Sequence, residues 1–261
     1  MANMHARQFT DGRSLVGEWD IRPSGVVYRN AGIDTLYQAA VQRGQATVLA
    51  NGALLQGTEP FYGRAAKSSF YVNDPDARFN GKGIDDLIAW GNPAEGQWDN
   101  LPMDPAVYRR LRARVVARLS EAGDLYVNDG WSGRTERSRM GVRLITESAV
   151  GAVFAHNIFL RLQPEELAGF KPEWTILQAP SVKAEPADKT HSEAFIIVDL
   201  AAQVVVIGGT KYNGQIKKSM FCVQNFRLPL KGILTMHAGA SEGEGGLSAV
   251  HAGLSGTGKT T

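Results

Sequence analysis

One cysteine, Cys222, stands in the 261 residues, so no intramolecular disulfide is possible and the fold has to be held by a packed core. That usage fits a reducing, cytoplasmic setting. No long uninterrupted apolar run is present. The most apolar stretch, "AFIIVDLAAQVVVIGG", is broken by Asp199 and Gln203 and reads as two strands joined at "DLAAQ" rather than as a membrane span. The opening "MANMHARQFTDG" has no apolar core of the length a signal peptide needs. No charge of one sign dominates: 28 basic against 26 acidic residues leave a net +2, which argues against nucleic acid or a membrane surface as a partner of the whole chain. No repeat or low-complexity block is visible.

What is present is ordinary globular composition, 43% hydrophobic and 21% charged, at a length that suits one large domain or two smaller ones. Residues 1–25 are polar and weakly patterned and are expected to be a loose N-terminal segment. "ATVLANGALLQG" and "SSFYVND" read as short strands, and "NGKGIDDLIAWGNPAEGQWDNLPM" as a long surface excursion. Asp104 and Pro105 then start a helix whose apolar face is Val107, Leu111, Val115 and Leu119. The arginines at 109, 110, 112, 114 and 118 on that helix read as a solvated, ion-paired surface. "DLYVND" reads as a strand, "TESAVGAVFAHNIFL" as a helix, and "QPEELAGF" as a short helix. From Glu193 onward come strands separated by glycine: "FIIVDL", "VVVIGGTKY", "KGILTMHAGA" and "LSAVHAG".

The last strand leads into Gly253–Thr260, a G-x-x-x-x-G-K-T pattern. Glycines there let backbone N–H groups converge on phosphate oxygens, the lysine reaches the terminal phosphates, and the hydroxyl residue holds Mg²⁺. A chance match of this kind arises in roughly one chain in a hundred. The pattern stands one residue from Thr261, where the helix that normally follows such a loop would begin.

Taken singly, the other candidates are bland. Arg64 reads as a surface residue, the Lys217–Lys218 pair as a solvated face, and His237 in an apolar strand as a satisfied core histidine. Together with the loop, "GRAAKSSFYV" with Arg64, "GGTKYNGQIKKSMF" with Tyr212, Lys217 and Lys218, "NFRLPLKG" and "TMHAGAS" with His237 closely resemble phosphoenolpyruvate carboxykinase of the ATP-using type. "VRLITE" and "EELAGFKPEW" also look like family segments, and the loop "GLSGTGKT" lacks the cysteine carried by the GTP-using class.

The resemblance implies a reversible, gluconeogenic reaction in which oxaloacetate loses CO₂ and the resulting enolate takes the γ-phosphoryl group of ATP to give phosphoenolpyruvate. It implies Mn²⁺ in the substrate site and Mg²⁺ with the nucleotide. By position, Arg64 would bind the substrate carboxylate and Tyr212 would line the pocket. Lys217 would sit near the phosphate path, and Lys218 and His237 would ligate Mn²⁺. Gly253 and the run Ser255, Gly256, Thr257, Gly258, Lys259, Thr260 and Thr261 would form the nucleotide loop, with Ser255 also among the catalytic groups and Thr260 on Mg²⁺.

The segment after Arg64 departs from the family's usual G-R-S-P-K-D-K, since Ala65 and Ala66 replace its Ser-Pro. Lys211 stands where a tryptophan is common and Ser241 where an asparagine is often seen. The expected architecture is α/β: a mixed-sheet N-terminal substrate domain over residues 26–230, then the start of a P-loop nucleotide-binding domain over 231–261. On this reading the chain is an N-terminal portion with little activity alone. Two alternatives are another P-loop kinase, which needs no Lys218/His237 metal pair, and a non-catalytic carboxylate-binding paralogue.

Overall fold

A computed structural model describes residues 13–58, 63, 65–79, 81–84 and 100–253. The chain divides into two compact units, Met1–Val223 and Gln224–Thr261.

In the first unit the strands are β1 (Val27–Arg29), β2 (Thr47–Val48), β3 (Leu54–Leu55), β4 (Ser69–Val72), β5 (Arg78–Phe79), β6 (Lys82–Gly83) and β7 (Leu101–Met103), followed by β8 (Leu125–Ser132), β9 (Met140–Thr146), β10 (Leu160–Arg161), β11 (Trp174–Ala179), β12 (Phe195–Asp199) and β13 (Val204–Gly208). The helices are α1 (Arg13–Gly17), α2 (Ile33–Gln42), α3 (Pro105–Glu121), α4 (Ala149–Ile158) and α5 (Pro164–Leu167), and α6 (Gly214–Arg227) begins in this unit and ends four residues past its boundary. Among the described residues, eight strands form one mixed sheet in the order β1-β8-β9-β11-β13-β12-β4-β7, with β10 added beside β8. β9, β11 and β13 are mutually parallel at its centre, while β8 and β12 flank them antiparallel. Such a sheet is covered on both faces, so its central strands are apolar throughout rather than alternating. All five residues of β13 and all six of β11 are buried.

One face packs on α3. Asp104 Oδ1 accepts from Ala106 N at 2.6 Å and Pro105 occupies the first turn, as the sequence suggests. The buried face is Tyr108, Leu111, Val115 and Leu119, with Tyr108 in the place expected of Val107. Helical geometry gives the reason. At about 100° per residue, strict four-residue steps drift by roughly 40° each. Tyr108, eleven residues before Leu119, stays in line after about three turns, while Val107 rotates to the margin. The other face is covered by α2 and α4, whose Leu36, Ala40, Ala149 and Ala152 pack around Tyr126.

Residues 13–21 are better anchored than expected of a loose segment, because Val16 and Ile21 are buried in the α3-side core. The Phe195–Gly208 stretch is two antiparallel strands, with Ala202 N donating to Asp199 Oδ1 across the turn. Among the described residues, no helix is long and apolar enough to cross a membrane.

In the second unit β14 (Ala238–Glu242) pairs antiparallel with β15 (Ser248–Ala252). The strand expected over 231–240 is shorter than its apolar pattern suggested. Pro229–Lys231 forms a 3₁₀ turn closed by Gly232 at φ 69°, and the described ladder begins only where Ala238 meets Ala252.

Candidate active site

The carboxyl ends of β9, β11 and β13 lie along one edge of the sheet, where open α/β folds place ligands. Thr146, Gln178 and Gly208 end these strands or stand one residue short of the end. The same edge receives the start of β4. Ile196 N donates to Ser68 O, and Phe195, which begins β12, pairs with Gly208. Topology thus carries residues 65–68, which follow Arg64 in sequence, to the rim that also carries Tyr212. Arg64 itself lies outside the described residues, as do Ser255–Thr261.

A chain of side-chain hydrogen bonds runs along this rim. Thr146 Oγ1 donates to Gln178 Oε1 at 2.9 Å, Gln178 Nε2 to Asn213 Oδ1 at 3.3 Å, and Asn213 Nδ2 to Gln56 Oε1 at 3.0 Å. Thr146 Oγ1 also accepts from Ser148 N, and Ser148 Oγ caps α4 through Gly151 N. Gln178 is fully buried, so each amide group satisfied here avoids a desolvation cost of about 1–3 kcal/mol.

Between Gly208 and α6 the backbone makes a sharp exit. Gly209 has φ of 66°, and a Cβ there would stand 1.9 Å from Glu193 O. Thr210 Oγ1 accepts from Tyr212 N at 3.0 Å, and the Tyr212 and Asn213 carbonyls accept from Gln215 and Ile216 as the helix begins. The Tyr212 ring lies over Gly214, where a Cβ would come within 2.6 Å of it. The half-buried Tyr212, Lys217 and Lys218 are therefore delivered together at the sheet's carboxyl edge. The first turn of α6 has no acidic residue, so its dipole and the lysines present a field suited to an anion. Lys217 and Lys218 are separated by about 100° around the helix axis, so they face different surroundings. Gln215, 2% exposed, has a buried Nε2 without a hydrogen-bond partner.

His237 belongs to the second unit. It is exposed, one residue before β14, rather than a strand residue in a core. Gly253 follows β15 and is exposed. Among the described residues no group of three or more His, Cys, Asp and Glu side chains is placed to hold a metal. Thr146, Gln178, Asn213 and Gln56 were not read as site residues. The available signal was Gln178, an amide inside the otherwise apolar "WTILQA".

Sequence comparison matches residues 25–261 to the family described as phosphoenolpyruvate carboxykinase. The phosphoenolpyruvate carboxykinase (ATP) 1 of Moorella thermoacetica is 40% identical over 238 residues, covering 91% of this chain and 43% of its own. The corresponding Geobacter sp. (strain M21) protein is 38% identical over 259 residues, 99% of this chain and 46% of its own. The Deinococcus radiodurans protein is 38% identical over 251 residues, 96% and 50% respectively. The chain spans about half the length of the curated relatives it matches.

Proposed function

The chain belongs to the phosphoenolpyruvate carboxykinase family, and from that premise we propose that the protein carrying it converts oxaloacetate and ATP to phosphoenolpyruvate, ADP and CO₂. The observation that carries the reading is the match over residues 25–261, which includes every candidate site residue. The rim geometry supports it, since a helix N-terminus and Lys217 near Tyr212 favour a bound anion.

In this reading the Arg64 guanidinium grips the substrate carboxylate through two parallel charge-assisted bonds and remains cationic throughout. Tyr212, fixed over Gly214, packs against the bound substrate. As the C–C bond to the departing CO₂ breaks, its electron pair passes to the enolate oxygen, which takes the γ-phosphoryl group while the bond to ADP opens. Lys217 and the α6 N-terminus offset the charge along that path. Lys259 and the Ser255–Thr261 backbone hold the nucleotide phosphates, with Thr260 toward Mg²⁺, and phosphoryl transfer then needs mostly positioning and charge neutralisation.

Lys218 and His237 would hold Mn²⁺. Their chemistry fits in part: an amine binds a metal only when neutral, which a neighbouring ammonium such as Lys217 favours. Two nitrogen donors fill only part of the coordination of an ion that otherwise prefers oxygen. Bound there, the ion would supply a fixed positive charge beside the developing enolate.

Manganese binding measured by electron paramagnetic resonance tests the assignment. Lys218→Ala and His237→Ala are each expected to weaken Mn²⁺ at least tenfold, while His251→Ala, whose Nε2 only meets Ser241 Oγ, leaves it unchanged. Equal Mn²⁺ affinity in all four proteins would remove the metal pair and favour a phosphotransferase without it.

A further inference from the structure

Under the C-terminal half of α4 lies a cavity of about 220 Å³, bounded by that helix, the α5 segment and the β1–β8 edge of the sheet. Its wall is half apolar, from Phe159, Leu162 and Leu167. The polar part is unusual. Asn128 lines the cavity, is 7% exposed, and its Oδ1 has no hydrogen-bond partner. It shares with Tyr126 and Gly130 the face of β8 that α2 and α4 cover, where an aliphatic residue would carry no unpaired polar atom. A buried amide kept against a void calls for something in that void to complete it.

The acidic lining residue, Asp129, is already neutralised from across the sheet. Asp129, also at its wall, accepts from Nε and Nη2 of both Arg29 and Arg143 at 2.7–3.1 Å. Asp129 follows Asn128 in β8, so its side chain and these two guanidiniums lie on the opposite face of the sheet, the α3 side that also holds Leu125 and Val127. Asn30 is satisfied by the Asp129 backbone, giving and receiving one hydrogen bond. Arg161 contributes the cation at the cavity wall. Its Nη1 stands 3.1 Å from His156 Nε2, and burial, then the Arg161 charge, push that imidazole below its ordinary pKa. A neutral His156 accepts from Arg161 and fixes the guanidinium at the cavity wall. Asp129, already engaged by two arginines, is the only carboxylate among the described lining residues.

A guanidinium fork, an unpaired amide oxygen and apolar walls define one ligand chemistry. We propose that this cavity binds a small hydroxycarboxylate, with its carboxylate on Arg161, its hydroxyl donating to Asn128 Oδ1, and its short carbon skeleton against Phe159 and Leu167. The volume suits such a molecule, being that of roughly seven liquid waters. The inference stands on these side chains and is independent of the carboxykinase reading.

Titration calorimetry with L-lactate tests it, using propionate, inorganic phosphate and 1-amino-2-propanol as comparators. Lactate is expected to bind saturably, at least tenfold more tightly than propionate, and 1-amino-2-propanol not at all. Arg161→Gln, at an exposed position, should weaken lactate at least tenfold. Asn128→Leu should abolish the preference for lactate over propionate and at the same time raise the unfolding temperature. If Asn128→Leu does not fold, the lactate–propionate ratio and Arg161→Gln still decide. No saturable carboxylate binding means the cavity holds only water and overturns the proposal. So does lactate binding that Arg161→Gln leaves intact, or phosphate binding tighter than lactate.

Discussion

At Gly209 the backbone takes φ of 66°, and any Cβ would meet the Glu193 carbonyl at 1.9 Å. This obstacle is main chain in a neighbouring strand connection, so no rotamer change relieves it. Gly209→Ala is accordingly expected to destabilise the chain by about 3 kcal/mol or more, from the left-handed conformation and the clash together. Urea unfolding checks this, and a loss under about 1 kcal/mol would mean the exit from β13 is pliable. Gly214 is the opposite case, because its close neighbour is the Tyr212 ring, a side chain rather than main chain. The sequence displayed Gly208–Gly209 as a glycine pair before Tyr212, but nothing local said that one of them abuts residue 193. The rim hydrogen bonds were illegible for the same reason. Thr146–Gln178, Gln178–Asn213 and Asn213–Gln56 join residues 32, 35 and 157 positions apart.

Elements whose signals are local were legible. α3 announced itself through its cap, its proline and its period, and the β12–β13 pair through two β-branched runs around a polar turn. α6 was not read as a helix, because "GQIKKSMFCVQNFR" mixes buried and charged positions without a clean stripe. The ion pairs expected on α3 take a particular form. Arg110 and Arg114 converge on Asp188 at 2.6 and 3.0 Å, and Arg118 meets Glu147 at 2.7 Å. Burial alone would raise the Asp188 carboxyl, but the Glu185 N–H and then the Arg110 and Arg114 guanidiniums outweigh it and hold the group below its usual range. A carboxyl depressed by folding contributes stability above its unfolded pKa of about 3.9 and loses that contribution as pH falls toward the folded value. Asp188→Asn should therefore cost about 2 kcal/mol at pH 7, and the gap from the parent should close as pH drops below about 4. A gap independent of pH would show that the contact is held by shape rather than charge.

For the whole molecule, the family match reaches from residue 25 to 261, while the structure describes the two units separately. The first unit supplies Tyr212, Lys217 and Lys218 at a sheet edge suited to anions. The second supplies His237 on an exposed approach to a hairpin. The mixed α/β architecture follows from apolar β-branched runs alternating with capped helices, and it was legible from the sequence. The pairing of Lys218 with His237 rests on the family resemblance alone, since the two residues lie 19 positions apart and belong to different units. The most direct test of carboxykinase chemistry is to measure CO₂ and ADP together as the protein that carries this chain consumes oxaloacetate and ATP with Mn²⁺ and Mg²⁺ present. The account predicts equal amounts of CO₂, ADP and phosphoenolpyruvate, whereas ADP formed without matching CO₂ would contradict it.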